Sequence, residues 1–245
     1  MKKFPEETQD KIEQLFAGKI LAHFPYYGEF WGKFIGLRAG DRLLPYRLQI
    51  PPTAKDPTVK DNSQILKWHE EIAMRHYSQF CQLAGAHFQL EKATEALRQK
   101  DKALRHFLFW EAFDNFYQHL ANTRNQMYGL WKVISNLNQT LPQKLEQYLK
   151  ATDRSILWSR ISEWEEQAEV LRDSVVHFSR GAAPYGDGAY WIPLPIKKEQ
   201  TWSDTLKKPG PVQEATKKME RDLRDLESLL NEVQRLIGCE LEKSF

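Results

Sequence analysis

Cysteine is almost absent: the 245 residues contain two, Cys81 and Cys239. They lie far apart, in stretches of helical pattern, with no Cys-x-x-Cys or zinc-type spacing. That excludes a disulfide framework and a thiolate metal site, and both are expected to be reduced, buried thiols. No run of about 18 apolar residues occurs, so no span of a bilayer is expected. The sequence starts Met-Lys-Lys-Phe-Pro-Glu-Glu with no clean apolar stretch behind it. No secretory leader is therefore expected, and the expected location is cytoplasmic. Charge of one sign is lacking too: 35 Lys and Arg face 33 Asp and Glu, a formal net charge of +2. Such a balance neither demands nor excludes a nucleic-acid partner, because a basic patch can sit inside a neutral total. No repeat of fixed period and no low-complexity segment is found.

Several catalytic signatures are missing as well. Residues 181–188 read Gly-Ala-Ala-Pro-Tyr-Gly-Asp-Gly, which is glycine-rich but lacks the Gly-Lys-Ser/Thr of a phosphate loop. Gly-x-Ser-x-Gly is absent. A di-iron bundle needs Glu-x-x-His on two helices. Three positions before His69, His76, His87, His106, His119 and His177 stand Leu66, Ala73, Ala84, Ala103, Phe116 and Ser174, none of them acidic. No metal and no cofactor is expected.

What is present is helical periodicity. Hydrophobic residues make up 41 % and charged residues 28 %, an ordinary globular composition. Thr8–Ala22 suits a short helix with Ile12, Leu15, Phe16 and Ile20 on one side. Aromatics then mix with glycine and proline as far as residue 62, which argues for an ordered arm containing a short strand or hairpin, and an extended stretch over 46–50. Residues 63–98 carry an apolar stripe of Ile65, Trp68, Ile72, Tyr77, Phe80, Ala84 and Phe88. Residues 101–138 carry Phe109, Phe113, Phe116, Leu120, Thr123, Met127, Leu130, Ile134 and Leu137, spaced alternately four and three apart, which is the seam of a bundle helix. A short helix or turn follows over 142–150. Thr152 or Asp153 then caps a helix with Leu157, Ile161, Trp164, Ala168, Leu171, Val175 and Phe178 on its seam, stopped by Gly181. Residues 181–211 form a long loop with an extended pair near 190–196. From Val212 a last helix shows Thr216, Met219, Leu223, Leu226, Leu230, Val233 and Ile237. The expected fold is all-α: an antiparallel bundle of four to five long helices over 63–245, with an arm over 1–62, in one globular domain.

One chemical kit remains, at the end of the helix before the long loop. Arg172, Asp173 and His177 lie close together there. Asp173 and His177 are four apart, so they share a face, and the carboxylate can fix the imidazole tautomer and favour its cation. The carbonyl end of the helix acts in the same direction. Arg172 is about 140° round the helix from His177, but its long arm can swing toward the same end. A guanidinium suits phosphate, since it presents planar paired donors and stays charged. RNA brings its own nucleophile, the 2′-hydroxyl, so a base, an acid and a cation on the phosphorane would suffice to cut it. One histidine cannot easily be both base and acid, which makes a two-fold homodimer attractive. The same residues also read as a surface arginine and a helix-capping histidine, with Arg172 bonded to Glu169 or Asp173. Asn122 and Arg124, in a polar break of the second long helix, are candidates to face the same cleft. Arg180, Lys197 and Lys198 are candidates to grip phosphates, with Trp191 and Trp202 able to stack bases.

Arg-x4-His with a polar residue after the arginine, at a helix end in an all-α bundle, resembles the Arg-x(4–6)-His motif of the HEPN superfamily. The resemblance covers mainly the bundle. It implies a homodimer with both motifs facing one cleft and metal-independent endoribonuclease activity. Such activity often belongs to toxin–antitoxin or other defence systems, with an antitoxin or other protein as partner. By that carry-over His177 is the acid/base, Arg172 the phosphate ligand and Asp173 the orienting residue. A non-catalytic HEPN-like module that binds RNA, nucleotide or protein is the alternative.

Overall fold

Apolar positions three and four apart put one stripe on each helix, and such stripes are satisfied by packing helix on helix. The computed structural model describes residues 6–39, 42–45, 62–177, 185–193 and 212–244, with side chains placed for 15–35, 70–169, 171, 185–192 and 213–243. Two helices open the chain, α1 (Glu6–His23) and α2 (Tyr26–Phe30), followed by a π-helical turn (Trp31–Ile35) and the hairpin β1 (Gly36–Ala39) and β2 (Arg42–Pro45). Then come α3 (Asn62–Ala96), α4 (Lys102–Leu137), α5 (Leu145–Ala151) and α6 (Ser155–His177). Last are β3 (Tyr185–Gly186), β4 (Ala189–Pro193), β5 (Val212–Glu214) and α7 (Ala215–Ser244). The class is all-α, with α3 and α4 packed antiparallel, and strands among the described residues are confined to two small antiparallel sheets, β1–β2 and β3–β4–β5. No helix among the described residues is long and apolar enough to cross a membrane.

The chain divides into two compact units that share the long helices. Unit 1 comprises Met1–Cys81, Thr123–Trp158 and Glu227–Phe245; unit 2 comprises Gln82–Asn122 and Ser159–Leu226.

In unit 1, Phe16, Ile20, Phe24 and Phe30 are fully buried with Leu130, Ile134, Val233 and Ile237. The Tyr26 amide donates to Asn231 Oδ1 of α7 at 2.9 Å. His76 of α3 is fully buried. It stacks on Tyr27 with ring centroids 4.0 Å apart and also lies against Phe30 and Trp31. Its Nε2–H donates to the Tyr27 carbonyl (3.1 Å), while Nδ1 accepts from Gln234 Nε2 (2.9 Å). Burial among these rings pushes its pKa down to about 3, so the imidazole is neutral.

In unit 2 the core is aromatic. Phe109, Phe113 and Phe116 are fully buried and Trp110 and Tyr117 nearly so, joined by Tyr190 of β4. The β3–β4 hairpin turns through Asp187 and Gly188, both at positive φ (53° and 77°). Asp-Gly is the pair a two-residue hairpin with mirror-image turn geometry favours.

The expected seams of α4 and α7 are buried from Phe109 to Ile134 and from Thr216 to Ile237. Five expectations are corrected. Leu15 is 66 % exposed, one residue round the helix from buried Phe16. Tyr77 and Phe88 are exposed, because the buried stripe of α3 runs through His76, Gln79 and Leu83; Lys92 covers the Phe88 ring instead, at 4.8 Å. Thr152 closes α5, donating through Oγ1 to the Tyr148 carbonyl, and does not open α6; Asp153 takes the left-handed turn between them. The last helix starts at Ala215, since Val212–Glu214 pairs with β4 as a strand. Cys239 is exposed and Cys81 half-buried, so neither is a core thiol. The extended stretch 46–50, the Gly181 stop and the loop over 194–211 lie outside the described residues.

Candidate functional site

The end of α6, where the sequence kit lies, belongs to unit 2, and its level along the bundle can be read from described contacts. Asp222 of α7 is the reference. Its Oδ2 accepts from the Tyr117 hydroxyl of α4 at 2.8 Å, and its carbonyl accepts from Trp164 Nε1 of α6 at 2.9 Å. One turn earlier on α7, Lys218 donates to Gln167 Oε1 of α6 at 3.4 Å, so α6 and α7 run antiparallel. At the start of α7, Glu214 pairs with Trp191 of β4, whose neighbour Tyr190 stacks on Phe109 of α4 at 4.4 Å. From 109 to 117 on α4 and from 214 to 222 on α7 is the same number of residues, so these two helices run parallel.

From Trp164, α6 runs on to His177, the last of its described residues. At 1.5 Å per residue, the backbone of Arg172 lies about 12 Å and that of His177 about 20 Å beyond Trp164. Arg172 therefore comes level with Phe109, and His177 with the first turn of α4. The side chains of Arg172, Asp173 and His177 lie outside the described residues, as do Arg180, Lys197 and Lys198 entirely.

Asn122 is at the other end of unit 2. It lies beyond Tyr117 in the direction away from the sheet, so the levels of Asn122 and His177 differ by about 27 Å of helix rise. Its partners are local: Gln118 Nε2 donates to its Oδ1 (3.0 Å), and its Nδ2 reaches Gln82 Oε1 (3.4 Å). The same Gln82 oxygen accepts from His119 Nδ1–H at 2.8 Å. Burial lowers the His119 pKa. Arg124 belongs to unit 1, where its Nη2 lies 3.4 Å from Asn125 Oδ1. The structure thus does not bring Asn122 to the end of α6.

What it does bring there is a group the sequence pattern passed over, in the first turns of α4. Asp101 caps that helix, its Oδ1 accepting from the Leu104 amide at 2.9 Å. Arg105 follows, its guanidinium lying over the Tyr185 ring of β3 at 3.9 Å and its Nη1 donating to the Gln99 carbonyl at 3.1 Å. Next, His106 Nδ1 meets the Tyr190 hydroxyl at 3.3 Å. Burial raises the Tyr190 pKa, and the hydrogen bond from Arg105 opposes that shift. Leu104 and Phe107 are exposed on the outer side. The signal that could have found this group was Asp187-Gly188 between two tyrosines: a tight hairpin there must carry its aromatic residues onto a neighbour.

The buried polar centre of unit 2 is Asp222 itself. It pairs with Lys218, and both are almost fully buried. Burial raises the Asp222 pKa, against the lowering effect of Lys218 and Tyr117. The pair packs α7 against α4 and α6. A surface hollow of about 480 Å³ in unit 1 is lined by Glu70, Glu71, Met74, Arg75, Ser78 and Gln126, with Arg75 paired to Glu71 at 2.9 Å. Among the described residues no three His, Cys, Asp or Glu side chains gather as metal ligands.

No family model matches the chain, and neither a curated protein nor a solved structure matches it at a significant level.

Proposed function

We propose that the chain is a HEPN-like, metal-independent endoribonuclease that acts as a homodimer, in the setting of a toxin–antitoxin or other defence system. One observation carries the reading: Arg172, Asp173 and His177 lie together on α6 (Ser155–His177) of an all-α bundle, within its last two described turns. His177 of one copy takes the proton of the 2′-hydroxyl, whose oxygen bonds to phosphorus. The P–O5′ bond breaks, and His177 of the second copy protonates the departing oxygen. The products are a 2′,3′-cyclic phosphate and a free 5′-hydroxyl. Arg172 holds the phosphorane oxygens, where charge develops, and Asp173 orients the imidazole.

The test is incubation of the purified protein with end-labelled RNA in EDTA. Expected is cleavage with cyclic-phosphate ends, lost in His177→Ala and in Arg172→Ala. RNA that stays intact across varied substrates sinks the reading. The second reading, a non-catalytic HEPN-like binding module, draws on exposed Leu104 (46 %) and Phe107 (59 %) on the first turns of α4. It predicts binding of RNA or protein without cleavage in the same assay.

A further inference from the structure

We propose that Arg105 and His106 form a phosphate-binding subsite for the RNA strand that passes the last turns of α6; the proposal rests on the ribonuclease reading above. Four observations lead to it. Arg105 forms no ion pair among the described residues, although it is half-buried. A guanidinium taken partly out of water without an acid is costly unless an anion meets it. Its Nε is buried and makes no hydrogen bond among the described residues, and the one further partner of the guanidinium is the neutral Tyr190 hydroxyl. The charge is held in place by the Tyr185 ring on its face and by the Gln99 carbonyl on its edge, so little entropy is lost when an anion binds.

His106 adds the second donor. Tyr190 engages its Nδ1 and fixes the ring, while its Nε2 makes no hydrogen bond among the described residues. Tyr185 is 37 % exposed and offers an aromatic surface beside the cation, the combination that tracks single-stranded nucleic acid. The position selects RNA over a free anion: residues 105 and 106 of α4 lie within about one helical turn of the level of His177. In this proposal a strand held at Arg172 and His177 carries a neighbouring phosphate at the level of Arg105.

The probe is a short fluorescein-labelled single-stranded RNA, bound to His177→Ala protein and followed by anisotropy over a salt series. Adding Arg105→Gln should weaken binding about tenfold and reduce the slope of log Kd against log salt by about 0.7, one phosphate contact on a single strand. Arg105→Lys should keep the slope, since the charge stays, and His106→Ala should weaken binding less. Circular dichroism melts establish that each variant is folded; a fold defect would not change the slope by one contact and leave Arg105→Lys intact. Unchanged affinity and slope in Arg105→Gln overturn the subsite, as does failure of the parent protein to bind RNA at all. The two readings separate cleanly. Arg105-dependent binding without cleavage by the unaltered enzyme keeps the subsite and sinks the nuclease. Cleavage with Arg105-independent binding does the reverse.

Discussion

The imidazole of His119 lies over Gly85, so closely that a β-carbon at position 85 would stand 2.5 Å from its Cε1. Glycine in mid-helix costs about 1 kcal/mol against alanine. α3 accepts that cost, and the space holds a ring whose Nδ1–H is fixed by Gln82. Gly85→Ala should therefore destabilise, because overpacking costs about 1–3 kcal/mol and outweighs the propensity gain. Gly85→Ala combined with His119→Ala should recover most of the loss. Urea denaturation of the two single variants and the double variant measures the coupling; additive effects would show that the two positions do not press on each other.

Lys218 and Asp222 should behave as a unit. Removing one partner leaves a buried charge uncompensated, so Lys218→Met or Asp222→Leu alone should cost about 3–5 kcal/mol. The double variant Lys218→Met/Asp222→Leu should cost less than either. Tyr117 loses its acceptor in every case that removes the carboxylate, so Tyr117→Phe in the double background should recover stability, by about 1–3 kcal/mol, by removing a buried hydroxyl without a partner. Equal or greater loss in the double variant than in the singles would contradict this account.

Catalysis shared between two copies makes a quantitative demand. If each cut needs His177 from both protomers, a heterodimer with one His177→Ala subunit is inactive. Mixing His177→Ala and unaltered protein at a fixed total concentration, with exchange of subunits, should then lower cleavage as the square of the unaltered fraction. A linear fall would mean that each protomer cuts alone, and the paired-histidine mechanism would be abandoned.

The long helices were legible because their burial is periodic. Phe109 to Ile134 and Thr216 to Ile237 are spaced as a bundle seam must be, and no other arrangement satisfies so many apolar residues at once. The failures share a cause: polar groups in apolar positions. His76 and Gln79 occupy the buried stripe of α3 because Tyr27 and Gln234 bond both nitrogens of the His76 ring and Gln234 donates to Gln79 Oε1, and that pairing arises from residues far apart in sequence. Tyr77, one position on, is displaced to the surface as a result. The level of Asn122 relative to His177 was equally hidden. Residue order along two helices does not state which way they run past each other, and the answer came from Tyr117 and Trp164 meeting on Asp222. Arg105 and His106 look like solvated helix residues until the β3–β4 hairpin folds onto them.

The buried His76 ties stability to pH. Its folded pKa of about 3 lies below its ordinary 6.5, because burial opposes the imidazolium. A depressed folded value means that the unfolded chain binds the proton first. The contribution of His76 is therefore complete above pH 6.5 and is lost as pH falls toward 3, at about 1.36 kcal/mol per unit of that interval. Protonation would set a second donor against the Gln234 amide nitrogen and break the contact at Nδ1. Denaturant midpoints measured between pH 4 and 7 should fall on acidification. His76→Gln, which keeps an amide donor for the Tyr27 carbonyl, should be less stable at pH 7 because the ring stacking is gone. Its midpoint should nevertheless decline less steeply, by the uptake of one proton. Parallel declines in the two proteins would assign the acid sensitivity to other groups and leave His76 as packing alone.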